Sequence, residues 1–183
     1  DGKGERSETG SSSCSRCDAG QYQQSENPGF CVNCPRGYYS DGKGETACKA
    51  CPQDTYKTAT GTADCTQCAA HATTVGATGS VSSTSCICSR GYTGDGSVCE
   101  ACPVDRYKAT RGEGSCVPCP ADSTTNGNAA APRIAACVCD LGYEARVTAG
   151  GGRTPSLQSP SSVCDVCPVD TYKDVQEAQL CAD

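Results

Sequence analysis

The sequence has almost no large apolar side chains. It contains no tryptophan and no methionine, one phenylalanine (Phe30) and three leucines (Leu141, Leu157 and Leu180). A single domain of 183 residues ordinarily buries a large apolar core, which these residues cannot supply. Covalent cross-links must therefore replace most of the missing core.

Other absences exclude whole classes of function. No apolar run is long enough to cross a membrane. A net charge of −6 is unlike the basic surface that nucleic-acid binding requires. No signal peptide is recognisable, and residues 1–5 (DGKGE) repeat residues 41–45, so we expect the chain to begin inside a repeat of a longer, processed protein.

Cysteine is the residue that the chain has in abundance. Nineteen of the 183 residues are cysteine, which predicts a disulfide scaffold, an oxidising compartment and hence an extracellular location. In the chain-entropy account each disulfide contributes about 2–4 kcal/mol by restricting the unfolded chain. No cofactor is expected.

The cysteines follow a repeat. In residues 51–65 (CPQDTYKTATGTADC), thirteen residues separate the two cysteines, and a tyrosine lies five positions after the first. The same spacing recurs in residues 17–31, 34–48, 102–116 and 167–181. The shared tyrosines are Tyr22, Tyr39, Tyr56, Tyr107 and Tyr172. Such regularity predicts a tandem array of small modules.

Larger units follow the first repeats. After Cys68 and Cys119 the spacing lengthens, and a Cys-x-Cys followed by Gly-Tyr appears each time. The predicted divisions are 1–13 (tail of an upstream module), 14–50 (two 17-residue repeats), 51–101 and 102–166 (full modules, the second with an inserted loop at 146–162) and 167–183 (start of a third, truncated module). The Gly, Ser and Pro of the insertion are typical of a mobile surface excursion.

The turn-forming residues that punctuate the chain predict a small disulfide-rich fold. We expect an elongated tandem array of short β-hairpins with little helix and no large hydrophobic core. Segments such as residues 55–57 should be strands. Gly61 and Gly112 should make turns with positive φ, which Asn27 can adopt in the first copy and Glu177 cannot easily adopt in the last.

Two stretches of sequence resemble known modules. CPVDRYKATRGEGSCVPCPADSTTNG (102–127) followed by CVCDLGYEAR (137–146) resembles the cysteine-rich ephrin-receptor-like module. CICSRGYTGDGSVC (86–99) is similar to the tail of an EGF-like domain. The first halves of the modules are similar to the opening loop of tumour-necrosis-factor-receptor modules. Tandem arrays of this kind occur in large extracellular and cell-surface proteins, including the protein of mastigonemes, the hairs of flagella.

The resemblance implies sequential disulfide pairing. The implied pairs are Cys17–Cys31, Cys34–Cys48, Cys51–Cys65, Cys68–Cys86, Cys88–Cys99, Cys102–Cys116, Cys119–Cys137, Cys139–Cys164 and Cys167–Cys181. Cys14 remains unpaired within the segment, and we expect its partner upstream of residue 1. Spacing alone leaves many connectivities open.

Repeated Cys-x-x-Cys pairs are also typical of zinc sites. Zinc modules would need four thiolates per ion and a reducing compartment, and they would not need the Cys-x-Cys-x-x-Gly-Tyr tail. A redox role would need the βαβ pattern of thioredoxin-like sites, which is missing. Disulfides are therefore the favoured interpretation, with no metal.

The remaining candidates are single residues. The repeated tyrosines are interpreted as covers over disulfides, with ligand anchoring as the alternative; Tyr38, outside the frame, is the better candidate for exposure. His71 lacks a nearby nucleophile and carboxylate, so a surface position is predicted. Asp95 lacks the further acidic ligands that Ca²⁺ needs, so a turn is predicted.

Ser/Thr/Pro-rich stretches are candidates for O-linked sugar, with a bare solvated loop as the alternative. The clusters at 73–74 and 123–125 lie within the modules. The insertion supplies Thr154, Pro155, Ser159 and Pro160.

No enzyme is expected, because the acidic residues are scattered and the short polar loops should form no deep apolar pocket that could hold a small molecule in about 300 Å³ or more. The first hypothesis is an extracellular rod-like spacer or filament subunit, such as a mastigoneme component, that binds other copies of itself or a companion filament protein. The alternative is a ligand-binding or adhesion segment of a cell-surface receptor ectodomain. Neither nucleic acid nor membrane insertion is expected.

Overall fold

The computed structural model describes residues 16–25, 30–61, 64–147, 153–154, 157–158, 162–169, 171–172 and 180–182. Within them the chain forms seventeen short strands and two 3₁₀ turns. The strands are β1 (Gln21–Gln23), β2 (Cys31–Asn33), β3 (Tyr38–Tyr39), β4 (Lys49–Ala50), β5 (Thr55–Tyr56), β6 (Thr66–Gln67), β7 (Ala72–Thr73), β8 (Ile87–Cys88), β9 (Tyr92–Thr93), β10 (Glu100–Ala101), β11 (Arg106–Tyr107), β12 (Val117–Pro118), β13 (Ser123–Thr124), β14 (Val138–Cys139), β15 (Tyr143–Val147), β16 (Arg153–Thr154) and β17 (Ser162–Val166). The 3₁₀ turns are Ser83–Ser85 and Ile134–Ala136.

All of these strands pair antiparallel with partners that are close in sequence. Seven two-stranded ladders join β1 to β2, β3 to β4, β5 to β6, β7 to β8, β9 to β10, β11 to β12 and β13 to β14, and one three-stranded sheet has the order β16-β15-β17. Two-stranded hairpins are marginally stable at best in water. The predicted fold class, an array of small disulfide-rich hairpins with little helix, is confirmed.

Nine disulfides close the segments that we number h1 to h9 in chain order. They are h1 (Cys17–Cys31), h2 (Cys34–Cys48), h3 (Cys51–Cys65), h4 (Cys68–Cys86), h5 (Cys88–Cys99), h6 (Cys102–Cys116), h7 (Cys119–Cys137), h8 (Cys139–Cys164) and h9 (Cys167–Cys181). The cysteines lie 14 residues apart in h1, h2, h3, h6 and h9, and 18 apart in h4 and h7. These pairs are the ones that the resemblance implies, whereas Cys14 lies outside the described residues.

The core is small and largely made of cystine. The main buried cluster comprises Tyr107, Ala131, Ile134, Cys137, Cys139, Ala145, Leu157 and Cys164. Outside it, the buried apolar side chains of the described residues are all half-cystines: Cys17, Cys34, Cys51, Cys86, Cys88, Cys102 and Cys116. The sulfurs thus serve both as cross-links and as most of the apolar interior.

The insertion in h8 differs from the exposed excursion that its composition predicts. Strand β16 pairs with β15, and Leu157 is fully buried in the main cluster. The predicted bounds 146–162 also overlap both β15 and β17. Leu157 is buried although its neighbours in sequence are polar, because burying a leucine side chain stabilises the fold by about 1.5–3 kcal/mol.

We therefore expect Leu157→Ala to lower the free energy of unfolding by about 2–5 kcal/mol, since it leaves a cavity in a small cluster. Denaturant unfolding with the disulfides oxidised measures the loss. Gln158→Ala is the matched control, because Gln158 is exposed and adjacent in sequence. Equal effects of the two substitutions would show that Leu157 does not anchor the insertion.

A left-handed residue recurs three positions after the first cysteine of each segment from h1 to h8. The residues are Gly20, Gly37, Asp54, His71, Gly91, Asp105, Asp122 and Gly142, with φ between 56° and 87°. In h2, for example, the N–H of Tyr38 donates to the carbonyl of Pro35 at 3.1 Å across this residue. The resulting turn, with positive φ at its third residue, starts the first strand of the segment.

The tips of h4 and h7 show the same backbone with different residues. Val75 and Gly76 have φ of 55° and 81°, and Asn126 and Gly127 have φ of 52° and 74°. Asparagine tolerates this region, whereas a β-branched residue is strained in it. The Val75 side chain is 53% exposed, so its replacement gives up little apolar burial.

We expect Val75→Asn to raise the free energy of unfolding by about 1 kcal/mol, through relief of backbone strain. The reciprocal Asn126→Val should lower it by a similar amount. Thermal unfolding of both oxidised variants beside the parent measures the two changes. A destabilised Val75→Asn variant would contradict the assignment of strain to this turn.

Candidate functional site: the junctions between hairpins

Consecutive segments dock through backbone hydrogen bonds at fixed positions. The carbonyl of the first cysteine of one segment accepts an N–H from the loop of the next segment. The pairs are Gly44 to Cys17 (2.8 Å), Gly61 to Cys34 (3.0 Å), Gly79 to Cys51 (2.8 Å), Gly112 to Cys88 (2.7 Å) and Ala130 to Cys102 (2.8 Å). The predicted positive φ of Gly61 and Gly112 is confirmed, at 72° and 77°. These glycines lie in long loops that face the preceding segment. The corresponding positions Asn27 and Glu177 lie outside the described residues.

A second bond joins the left-handed residue to the next segment. We call a hairpin 14-spaced or 18-spaced by the separation of its two cysteines. Where a 14-spaced hairpin follows, the left-handed residue is glycine. Its N–H donates to the carbonyl of the residue six positions after the first cysteine of that following hairpin. The bonds are Gly20 to Ser40 (2.7 Å), Gly37 to Lys57 (3.0 Å) and Gly91 to Lys108 (2.9 Å).

Where an 18-spaced hairpin follows, the left-handed residue is aspartate and the acceptor is a threonine hydroxyl. The N–H of Asp54 in h3 donates to Thr74 Oγ1 in h4 at 2.9 Å. In return, Asp54 Oδ1 accepts from Thr73 Oγ1 at 2.7 Å and from the N–H of Thr74 at 3.0 Å. The hydroxyl of Thr74 also donates to the carbonyl of Ala77 at 2.7 Å.

The junction of h6 with h7 repeats this arrangement with different neighbours. The N–H of Asp105 donates to Thr125 Oγ1 at 2.9 Å, and Asp105 Oδ1 accepts from Thr124 Oγ1 at 2.5 Å and from the N–H of Thr125 at 3.0 Å. We call each set of three bonds an Asp–Thr clamp. Two independent copies indicate that the clamp belongs to the 18-spaced hairpin.

The 18-spaced hairpins also contact the segment two places back. A Cβ on Gly37 would lie 2.2 Å from the carbonyl oxygen of Gly79, and a Cβ on Gly91 would lie 2.2 Å from that of Ala130. Glycine at these positions is therefore required by space as well as by φ. The 18-spaced hairpin consequently packs on a glycine segment and clamps to an aspartate segment.

The carboxylates of the clamps have lowered pKa values. The Thr73 hydroxyl, followed by the Thr74 N–H, holds the pKa of Asp54 below its usual 3.8. The Thr124 hydroxyl and the Thr125 N–H do the same for the pKa of Asp105. These bonds favour the charged form, because a carboxylate accepts them better than a neutral acid does.

Two lysines are buried at the junctions. Lys57 and Lys108 are each 2% exposed, and Nζ of Lys57 donates to the carbonyl of Tyr38 while Nζ of Lys108 donates to that of Gly112, both at 2.5 Å. Burial lowers the pKa of both amines. The backbone of each lysine also bonds to the segment before it and the segment after it, through its carbonyl and its N–H. In the sequence, the recurring Tyr-Lys pair is the one signal of this role.

The five repeated tyrosines, which the sequence predicts to cover disulfides, differ in how far they are exposed. Tyr107 is 7% exposed, Tyr22, Tyr39 and Tyr56 are half-buried, and Tyr172 is 57% exposed. Tyr56 and Tyr107 each form a parallel bridge with the following 18-spaced hairpin, at Ser80 and Ala131. Tyr38, the predicted exposed tyrosine, is 41% exposed.

The other candidate residues have structural environments. His71 is exposed and stacks on Tyr92 with ring centroids 4.0 Å apart. Asp95 Oδ1 accepts from the hydroxyl of Ser97 at 2.6 Å and from its N–H at 2.9 Å, which lowers the pKa of Asp95. This is a turn stabilised by a side chain, as predicted. Among the described residues, no three metal-ligating side chains lie together.

The candidate glycosylation positions divide into two groups. Thr74 and Thr125 are buried at 5% and 2% exposure and are bonded in the clamps, so the folded hairpins offer neither hydroxyl to sugar. Pro155, Ser159, Pro160 and the side chain of Thr154 lie outside the described part of the chain, so they stay a prediction.

An open groove of about 400 Å³ lies where h4, h5 and h6 meet. Its walls include Thr84 from h4, Ile87 between h4 and h5, Asp95 and Ser97 from h5, and Glu113 from h6. An open groove with a partly polar lining is not the deep apolar pocket that the sequence argues against. The pattern within one loop could not show the groove, because three segments supply its walls.

Comparison with known proteins agrees with this architecture. The family described as "Tyrosine-protein kinase ephrin type A/B receptor-like" matches residues 4–44, 37–86 and 91–137, together more than half of the sequence. The chain belongs to this family. The predicted recognition as tandem ephrin-receptor-like cysteine-rich modules is confirmed.

Similar proteins include both repeat proteins and receptors. The chain is 35% identical to Cysteine repeat modular protein A of Toxoplasma gondii over 54% of its length, and 37% identical to human Ephrin type-A receptor 8 over 43%. It is 42% identical to Ephrin type-B receptor 3 of Xenopus laevis over 32% of its length. These matches span only 3%, 7% and 6% of the respective relatives. The family and the disulfide array identify an extracellular type of cysteine-rich repeat segment.

The lowered pKa values predict acid sensitivity of the clamps. A carboxylate whose pKa falls on folding stabilises the folded state above its unfolded pKa, and this stabilisation is lost as the pH falls through the folded value. We therefore expect the amide resonances of Thr74 and Thr125 to titrate with a midpoint below 3.8. NMR of the oxidised chain measures both midpoints.

Asp54→Asn provides the matched control within one molecule. Asparagine keeps an acceptor oxygen and tolerates positive φ, but it carries no titrating proton in this range. The Thr74 titration should disappear while that of Thr125 remains. Persistence of the Thr74 titration in this variant would contradict the clamp.

Proposed function

We propose that the chain is an extracellular structural segment, a rod-like spacer or a subunit of a filament such as a flagellar hair. The observation that carries this proposal is the repeated junction, in which five pairs of consecutive segments dock through the same backbone positions. Arrays in which each unit contacts only its neighbours extend in one dimension, and such an array can serve as a spacer. The divisions at 14–50, 51–101, 102–166 and 167–183 are proposed as the repeating units of this rod; the tail 1–13 lies outside the described residues.

The chemistry of the described side chains supports a non-catalytic role. The carboxylates of Asp54, Asp95 and Asp105 are engaged in structural hydrogen bonds. The His71 ring stacks on the ring of Tyr92. A catalytic dyad needs a nucleophile and a base within hydrogen-bond reach. We infer that the segment works by position rather than by reaction.

The proposed partners are other copies of the chain or a companion extracellular protein. Exposed apolar side chains are distributed along the array, among them Phe30 (66%), Val98 (62%) and Val166 (70%). They suit lateral contacts between rods better than a single deep site. No described helix is long and apolar enough to cross a membrane. Glycans on the insertion of h8 would add to this outer surface.

A ligand-binding or adhesion segment of a receptor ectodomain is the second candidate. Relatives named as ephrin receptors and the groove where h4, h5 and h6 meet favour it. A receptor segment would bind a different protein as a monomer, whereas a filament subunit would bind its own copies.

Small-angle scattering of the oxidised chain tests the rod. A compact globule of 183 residues should have a radius of gyration near about 16 Å, and a rod should clearly exceed it. Sedimentation over a concentration series then separates the two candidates, because only the filament reading predicts self-association. A radius near the compact value would overturn both the rod and its role as a spacer.

A further inference from the structure

The segment pairs h4–h5 and h7–h8 are two copies of one arrangement. In each, an 18-spaced hairpin is followed by a Cys-x-Cys and by a strand that begins with tyrosine. Counted from the first cysteine of the 18-spaced hairpin, Ser83 corresponds to Ile134 and Gly94 to Ala145. The copies differ in length, because the cysteines of h5 lie 11 residues apart and those of h8 lie 25 apart. The insertion of h8 therefore has no counterpart in h5.

In h7–h8, the junction of the two segments is covered by the insertion. Ile134 and Ala145 are 7% and 2% exposed, and both lie in the main cluster with Leu157, which is fully buried. Leu157 belongs to the insertion, whereas Ile134 lies in h7 and Ala145 in the strand β15. One leucine from the insertion thus closes the place where h7 meets h8.

In h4–h5, the corresponding place is open. Ser83 and Gly94 are exposed and line the groove of about 400 Å³, and the half-buried Ile87 lies beside them in the same lining. Small residues stand where the other copy has buried apolar ones, and h5 contains no leucine. The groove is therefore the counterpart of a site that an aliphatic side chain fills elsewhere in the same chain.

The groove is also acidic. Asp95 and Glu113 stand in its walls, and none of the described residues that line it is basic. Oδ1 of Asp95 accepts from the hydroxyl of Ser97 at 2.6 Å and from its N–H at 2.9 Å, which holds the carboxylate in place. A carboxylate has about four acceptor sites, so Asp95 can accept from a cationic group as well. An occupant with a basic residue near its apolar one would complement both features.

The insertion of h8 has this combination in its sequence. Arg153 lies four residues before Leu157, and its backbone pairs with that of Arg146 in β15. Counted as before, Arg146 corresponds to Asp95 in h5. A segment that entered the groove as β16 approaches β15 would bring its basic residue beside Asp95. Opposite charges in such cross-strand positions stabilise the pairing.

We propose that the groove where h4, h5 and h6 meet binds an extended segment of a companion extracellular protein, with an aliphatic side chain such as leucine over Ile87 and a lysine or arginine beside Asp95. A second copy of the chain fits less well. Leu141 and Leu180 are exposed, but neither has a lysine or arginine within four residues, and Leu157 is buried in its own cluster. The proposal rests on the proposed extracellular role and deepens it by naming the chemistry of the partner's contact.

A synthetic peptide of residues 151–160 (GGRTPSLQSP) is the probe, because it carries the leucine and the arginine of the insertion. Its titration into the oxidised 183-residue chain is followed by amide NMR shifts, which report both the site and the dissociation constant. We expect saturable shifts at Thr84, Ser97 and Glu113. Leu157→Ala in the peptide should weaken binding by about tenfold or more, because the buried aliphatic side chain is lost.

Three variants of the chain locate the site. Asp95→Asn keeps an acceptor for Ser97 and removes the charge, so it should weaken binding by up to about fivefold, the range of an exposed ion pair. Thr84→Arg places a long basic side chain in the groove and should abolish binding. Thr110→Arg is the matched control, because Thr110 is exposed in h6 and the variant adds the same charge outside the groove lining. This control should bind the peptide as the parent chain does.

Shifts centred on h7 and h8 would overturn the proposal, because the peptide would then compete with Leu157 for its own cluster. Equal binding of the leucine and alanine peptides, no saturable shift with peptide in the millimolar range, or equal losses in Thr84→Arg and Thr110→Arg would also overturn it. Self-association of the chain that Thr84→Arg abolishes would identify a second copy as the occupant and contradict a separate partner. Scattering of the chain without peptide tests the rod, so the two conclusions can fail independently.

Discussion

The structure depends on the hydrogen bond from a loop N–H of one segment to the first-cysteine carbonyl of the segment before it. A backbone carbonyl can serve in this way only if its position is fixed, and the disulfide on the same residue fixes it. The donor is glycine at four of the five junctions where it is seen and alanine at the fifth. All five donors have positive φ, which glycine adopts without strain; φ is 77°, 72°, 68° and 77° at Gly44, Gly61, Gly79 and Gly112, and 57° at Ala130. Each disulfide therefore closes its own loop and also positions the next one.

This arrangement explains how a chain with so few apolar residues stays folded. Apolar burial outside the main cluster is confined to half-cystines among the described residues. The buried polar side chains are largely junction residues, including Thr74, Thr125, Lys57 and Lys108. Buried polar groups are tolerated when they are hydrogen-bonded, and no described buried side-chain polar atom lacks a partner. Docking is thus specified by hydrogen-bond geometry more than by apolar area.

The sequence predicted the hairpins, the strands at Tyr22, Tyr39, Tyr56 and Tyr107, and the positive φ of Gly61 and Gly112, because all of these follow from local spacing and residue type. It did not predict the Asp–Thr clamps, whose partners lie about 20 residues apart, or the burial of Lys57 and Lys108. It also predicted that Leu157 lies in an exposed loop. The polar composition of the insertion hid the one leucine that packs in the main cluster. The sequence does not predict the groove where h4, h5 and h6 meet, because its walls come from three segments. The sequence therefore indicates the local structure within a segment, whereas the residues that contact each other between segments follow only from the fold.

The two kinds of junction differ in the residue at the left-handed position. Glycine there has no side chain, and at Gly37 and Gly91 it leaves room for a carbonyl from the 18-spaced hairpin two segments ahead. At Asp54 and Asp105, aspartate adds an acceptor that the Thr-Thr pair of the next hairpin satisfies. Exchanging the two would leave either an unpaired threonine hydroxyl or a side chain in a carbonyl's place. In h2–h4 and h5–h7, the left-handed residue therefore matches the hairpin that docks on it. Asp122 in h7 precedes the longer segment h8, so aspartate at this position does not by itself specify an 18-spaced neighbour.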